Sequence, residues 1–388
     1  MRPSSRLPRE SAPNALSQAL DALRRTGTSY IDLTESNPTH AGIAYPEDLL
    51  LPLSSPAALR YEPHPLGLAT AREAIAADCA RRGARVEPEH VVLSASTSET
   101  YSWLFKLLCD AGESVLVPRP SYPLFEHLTR LEGVRAEPYR LEYHGRWDID
   151  LASVAAAPAG TRAVLLVSPN NPTGSYASAR EIEGLARLCR DRGWALIVDE
   201  VFADYVLDAE APVTDLATRA GVLAFSMGGA SKSLGLPQVK LGWTVVGGPA
   251  ADRAAALAGL ELIADTFLSV GTPVQVAAVS LLERGAGVRA AIHARVRANL
   301  AAARRIAEAH AACDLLPVEG GWSAVVRVPA TRGEEALVLD LLSRERILVH
   351  PGYFFDFEHE AFLVVSLLVP EAAFAEAFAR TLRFAEAA

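Results

Sequence analysis

Three lysines, Lys106, Lys232 and Lys240, stand among 37 basic residues, so thirty-four are arginines. Chemistry that needs a primary amine on a side chain therefore has three candidate positions. Lys106 falls off the apolar stripe of Tyr101, Leu104, Phe105 and Leu108, spaced i, i+3, i+4 and i+7, and reads as a solvated helix residue. Lys232 is different, because it follows Gly228-Gly229-Ala230-Ser231 directly after an apolar run. Asn171, in the loop Ser168-Pro169-Asn170-Asn171-Pro172-Thr173-Gly174, and Asp199, in Asp199-Glu200, also follow apolar runs. Where such runs are parallel strands of one open sheet, their carboxyl ends share a crevice, and ligands bind there.

An amine, a carboxylate and an amide gathered in one crevice suit pyridoxal phosphate. That cofactor offers an aldehyde, a basic ring nitrogen and a phenolic oxygen. A carboxylate beside the ring nitrogen keeps it protonated, so the ring draws in electrons. A lysine condenses with the aldehyde and, once released, serves as general base or acid.

The elements that must position these residues alternate between helix and strand. A helix is expected over 66–82, a strand over 91–93, and a helix with one apolar face from about Tyr101 to Leu108. Strands are expected over 114–117, 163–167, 194–198, 221–227 and 241–246, with a helix over 181–192. Short continuous apolar strands between helices predict an α/β fold with a mostly parallel sheet covered by helices on both faces. After Pro273 the pattern changes to a long Ala- and Arg-rich helix over about 288–312, then strands over 322–328 and 362–366. Pro370 opens a closing helix with Phe374, Phe378 and Leu382 four residues apart. The expected organisation is an N-terminal arm with part of a small domain over 1–45, a large cofactor-binding domain over 46–275, and a small α+β domain over 276–388.

Composition sets outer limits. The 388 residues are 50% apolar and carry a net charge of −9, which argues against nucleic acid and against an anionic membrane surface. The start, Met1-Arg2-Pro3-Ser4-Ser5-Arg6, leads into no apolar stretch, and no run of about 18 apolar residues occurs, so neither a signal peptide nor a membrane span is expected. Cys79, Cys109, Cys189 and Cys313 form no Cys-x-x-Cys pair and read as thiols in a reducing compartment, with no metal site. A cytoplasmic protein is expected.

The order Asn171-Pro172-Thr173-Gly174, then Asp199-Glu200, then Ser231-Lys232, at strand ends, resembles the fold type I pyridoxal-phosphate enzymes, particularly the class I/II aminotransferases. The matching landmarks run from Tyr61 to Lys240, and the outline of the small domain extends the resemblance over nearly the whole chain. The resemblance implies that Lys232 is the Schiff-base lysine, that Asp199 pairs with the ring nitrogen, and that Asn171 bonds the phenolic oxygen. It also implies a phosphate site made of Ser96, Thr97 and Ser98 at a helix start, completed by Ser231 and Lys240. Tyr122 matches the aromatic that stacks on the ring. Tyr61 matches a tyrosine that reaches the phosphate in the partner subunit, which implies a homodimer with shared sites.

Several positions depart from the family pattern. Lys240 stands where arginine is usual, keeping the charge but losing the two-point fork on phosphate. Phe202 stands where a tyrosine would support the phenolic oxygen, which leaves that contact to Asn171. Gly229 replaces a second phosphate-binding hydroxyl. The arginine that clamps a substrate α-carboxylate on a small-domain strand is absent; Leu363 or Val364 takes its place, with Arg119 and Arg327 as conceivable replacements. The segment His350-Pro351-Gly352-Tyr353-Phe354-Phe355-Asp356 resembles a loop that borders the substrate side in the family, and its aromatics point to an apolar pocket there. The leading expectation is an aminotransferase acting on an amino donor and a keto acid. A pyridoxal-phosphate lyase on the same fold is the alternative, raised by Phe202 and the missing arginine. A non-catalytic sensor domain ranks third, since the first 45 residues show no helix-turn-helix pattern or basic cluster.

Overall fold

The computed structural model describes residues 4–8, 13–208, 216 and 220–387. A short strand β1 (Ile31–Asp32) precedes eight strands that make one sheet: β2 (Val91–Ser94), β3 (Ser114–Arg119), β4 (Arg135–Tyr143), β5 (Trp147–Ile149), β6 (Thr161–Val167), β7 (Ala195–Asp199), β8 (Ala224–Gly229) and β9 (Gly242–Gly247). Their order across the sheet is β2-β9-β8-β7-β6-β3-β4-β5. The run from β8 to β4 is parallel. Strand β9 runs antiparallel to both β8 and β2, and β5 runs antiparallel to β4.

The central strands are apolar throughout because both faces are covered. Leu165 and Ile197 pack under the helices Thr97–Leu108 and Ala250–Phe267, through Tyr101, Leu104, Phe105 and Leu260. Val164, Leu166, Leu196 and Val198 pack on the other side, under Ile182, Leu185 and Cys189 of the helix Ala179–Arg192. That helix starts in a capping box between Ser178 and Glu181 and ends at left-handed Gly193, which turns the chain directly into β7. Strand β4 escaped the sequence reading for a physical reason. It lies next to an edge, only Tyr139 is buried, and it carries Arg135, Glu137 and Arg140.

A second sheet has the order β10-β11-β14-β13, all antiparallel, from β10 (Asp314–Leu315), β11 (Ser323–Arg327), β13 (His350–Pro351) and β14 (Phe362–Ser366). Strand β1 pairs in parallel with β12 (Ile347–Leu348), so the N-terminal segment lies beside the C-terminal sheet. Ser366 reinforces this by donating its N–H to the Leu33 carbonyl at 2.7 Å. The long helix Ala286–Ala307 is tied to the same region through Asn299, whose Nδ2 donates to the Leu367 and Val369 carbonyls at 2.8 and 2.7 Å. One buried cluster runs through Leu16, Ile75, Leu234, Val296 and Phe378, so segments on both sides of residues 45 and 275 share a core. Among the described residues no single helix is long and apolar enough to cross a membrane.

The two sheets meet at Gly174, whose carbonyl accepts the N–H groups of Glu319 and Gly320 at 3.1 and 2.9 Å. Its φ of +70° lies in the left-handed region, and a Cβ there would stand 2.7 Å from the Gly320 oxygen and 2.8 Å from Val318 Cγ1. Gly174→Ala is therefore expected to destabilise the protein by about 2–4 kcal/mol, through backbone strain plus overpacking. Chemical denaturation of the variant checks this; an unchanged midpoint would mean the junction is looser than it looks.

Candidate active site

Strands β6, β7 and β8 are neighbours in register, Val167 opposite Asp199 and Asp199 opposite Met227. Their carboxyl ends open on a cavity of about 280 Å³. Asp199 is the last residue of β7, and the loop after β6 carries Asn171. Beyond β8 the chain turns at Gly229 into the short helix Ala230–Ser233, which bears Lys232. All three side chains line the cavity, so the clusters read from the sequence do converge.

The amine and the carboxylate are both held out of bulk water. Lys232 Nζ lies 4.9 Å from the ring centre of Trp322 and 5.4 Å from that of Phe202. Burial pushes the amine down to about 8, against the opposing pull of Asp199. Asp199 is only 8% exposed. Its Oδ2 accepts from the Tyr101 hydroxyl at 2.7 Å and its Oδ1 from the Val201 N–H at 3.1 Å. Burial raises the Asp199 carboxyl above the ordinary carboxylate range, while the Tyr101 and Val201 bonds and the Lys232 amine act against that rise. The Tyr101 hydroxyl is itself buried and held well above its ordinary value, so it stays a donor. Tyr205 donates to the Lys232 carbonyl at 2.6 Å, which fixes the turn that presents the amine.

Two loops are stapled together beside this pair. Asn170 is buried; its Nδ2 donates to the Pro120 carbonyl at 3.0 Å and its Oδ1 accepts from Ser121 Oγ at 2.8 Å. The staple holds Asn171 and Tyr122 on one cavity wall, with Tyr122 39% exposed and its ring edge-on to Phe125 at 6.1 Å. Asn171 Oδ1 accepts from Ser323 Oγ at 3.4 Å. Thr97 and Ser98, the first residues of their helix, also line the cavity. Ser96 caps that helix, accepting the Glu99 N–H at 3.2 Å. Gly242 on β9 makes room for it, since a Cβ there would stand 2.9 Å from the Ser96 carbonyl carbon.

Ser231 and Phe202 line the cavity as well, whereas Ser96, Lys240 and Tyr61 do not. Lys240 is exposed, with a φ of 54°, just before β9. Tyr61 is 70% exposed and borders a separate cleft with Gly67, Trp103 and Gln275. Of the two strand positions left open, Leu363 and Val364, one reaches the cavity. Val364 lines the cavity, while Leu363 belongs to the large buried core. Neither conceivable replacement for the missing arginine reaches the site. Arg119 pairs with Asp356 at 3.3 Å, and Arg327 reaches across to Asp314 of the neighbouring strand at 3.1 Å, both at the surface.

Sequence reasoning missed Thr34, Ser36, Trp322, Ser323 and Ser366, all in the lining, whereas the loop starting at His350 does reach the cavity. Only the pairing of β1 with β12 brings the first two there, and no local pattern announces a contact between segments more than 300 residues apart. His350 had a signal in its aromatic loop. It sits opposite Val364 in the sheet, and burial lowers its imidazole, with Asp32 pulling the other way.

These donors fit pyridoxal phosphate. A half-buried lysine and a buried carboxylate share a cavity whose remaining wall offers an amide, an aromatic face and a helix start bearing two hydroxyl residues. The comparisons agree with that chemistry. The glutamate–pyruvate aminotransferase AlaA of Haemophilus influenzae is 25% identical over 363 residues, 89% of this chain and 88% of the relative. The alanine aminotransferase of Mycobacterium tuberculosis is 28% identical over 283 residues, covering 69% of this chain and 64% of the relative. In fold, the alanine aminotransferase from Pyrococcus furiosus superposes with a TM-score of 0.88 at 22% identity, over 100% of both chains. The family profile Aminotransferase class I and II matches residues 35–380. The chain therefore belongs to the class I and II aminotransferases, the pyridoxal-phosphate enzymes that transfer amino groups.

Proposed function

We propose that Lys232 and Asp199 carry this amino transfer, moving an amino group between an amino acid or amine and a keto acid. The observation that carries the reading is the placement of both side chains in one cavity at the ends of adjacent strands, Asp199 buried and Lys232 half-buried beside two aromatic rings. Pyridoxal phosphate, when bound, supplies an aldehyde that amines exchange on and a protonated ring that disperses negative charge at the amine-bearing carbon.

The chain's own residues do the rest. Lys232 would hold the cofactor through Nζ and, its amine lowered to about 8 and so about half neutral at that pH, would take the proton from the amine-bearing carbon and return it. Asp199 would pair with the protonated ring nitrogen, with Tyr101 and Val201 bonding and aiming its carboxylate. Asn171 would bond the phenolic oxygen, with Phe202 packing against Trp322 where a hydroxyl would otherwise help. Tyr122 would cover the ring face. Thr97, Ser98 and Ser231 would bind phosphate, with Ser96 setting the helix start and Lys240 adding charge from outside the lining. We assign Tyr61, exposed on its own cleft, to the phosphate of the partner copy in a homodimer. The division into residues 1–45, 46–275 and 276–388 accompanies this reading, with the small domain walling the cavity through Trp322, His350 and Val364. A cytoplasmic location suits the four free thiols.

Two outcomes are expected. The neutral amine is the nucleophile, so cofactor uptake by the cofactor-free protein should accelerate about tenfold per pH unit up to about 8 and level off above it. Stopped-flow absorbance on mixing with pyridoxal phosphate measures this, and an inflection near an ordinary lysine value would contradict the buried amine. Asp199→Asn should retain the cofactor while slowing the half-reaction with an amino donor by at least about a hundredfold. Turnover close to wild type in that variant would remove Asp199 from the mechanism.

A further inference from the structure

Beyond the Lys232 amine, the cavity is walled by the C-terminal sheet and the N-terminal segment beside it. Among the described lining residues the only formal charges are Lys232 and Asp199, and no arginine is present. His350, the one other described lining group able to become a cation, is half-buried, and desolvation lowers its imidazole, which favours the neutral ring. Val364 occupies the strand between His350 and Val325, is 3% exposed and packs with Phe355. The hydroxyls on this side are largely committed within the protein. Ser366 Oγ donates to the Glu35 carbonyl at 2.6 Å, Thr34 Oγ1 to Asp32 at 2.6 Å, and Ser323 Oγ to Asn171 at 3.4 Å.

A carboxylate brought against such a wall loses its water and gains no cation in return, which is among the costlier things a binding site can demand. An uncharged carbon chain meets Val364, Phe355 and Trp322 at no such penalty. We propose that this cavity selects amino compounds with no carboxylate on the amine-bearing carbon: primary amines whose tail begins as an alkyl or aromatic group. The inference rests on the reading of Lys232 as the amine-exchanging residue. Donor and acceptor occupy the cavity in turn, so the keto acid is one whose acid group lies away from its carbonyl carbon. The exchange balances as amine plus carbonyl giving carbonyl plus amine, with no oxidant or reductant.

Matched pairs that differ only in the α-carboxylate test this: 2-phenylethylamine against L-phenylalanine, and 4-aminobutyrate against L-glutamate. Calorimetric titration of the cofactor-loaded enzyme should show the carboxylate-free member binding roughly tenfold to a hundredfold tighter, the range for leaving a charged group unpartnered. Equal or tighter binding of the α-carboxylated member, or no binding in either series, overturns the proposal. Val364→Arg should recover at least roughly tenfold for the α-carboxylated members. A folded Val364→Arg that leaves the preference unchanged overturns the assignment to this wall, and the wild-type comparison decides if the variant does not fold. Bleaching of the lysine-bound absorption is read separately. Ligands that bind without bleaching would sink the amino-transfer reading while leaving the preference measured.

Discussion

A lysine amine and an aspartate carboxylate buried in one small cavity place a demand on everything around them. Removing either charge from water is costly unless it is paired or bonded. Here the cost is met from the surrounding elements. The helix Thr97–Leu108 sends Tyr101 onto Asp199 from one face of the sheet, and the backbone of Val201 bonds it from the strand end. Trp322 and Phe202 place ring faces by Lys232, and Tyr205 locks the turn that carries it. Both charges issue from adjacent parallel strands, so the sheet sets their relation and the second sheet closes the space above them.

Much of this was legible in the sequence because the central strands are buried on both faces. Their continuous apolar runs, each ending in one polar cluster, give away both the parallel sheet and the crevice. Lys232 was singled out by scarcity as well as by place. What could not be read was non-local or half-exposed. Strand β4 alternates charge with burial next to an edge, and Thr34 and Ser36 arrive through a pairing of the two ends of the chain. Asn170 looks like the less interesting of two adjacent asparagines, yet it staples the loops on which Asn171 and Tyr122 ride. Tyr101 read as one member of an apolar helix stripe, and its hydroxyl turns out to be the main support of the buried carboxylate.

Two of the departures from the expected pattern, Phe202 and Val364, line the cavity, while Lys240 and Gly229 lie outside its lining. Phe202, where the resemblance leads one to expect a tyrosine, packs edge-on to Trp322 at 5.3 Å, so the lysine faces two rings. Val364, on the strand where the resemblance leads one to expect an arginine, continues an apolar run between His350 and Val325. Asp199, Lys232 and Asn171 gather on one side of the cavity, and the wall formed by the C-terminal sheet adds no formal charge among the described lining residues.

The central claim is that Lys232 is the residue that bonds the cofactor. With only three lysines in the chain, reduction of the loaded enzyme with borohydride followed by peptide mass mapping tests it directly. The account predicts one pyridoxyl group per chain on the peptide containing Lys232, and none on Lys106 or Lys240. Label on either of those two, or none on any lysine of an enzyme saturated with pyridoxal phosphate, would contradict it.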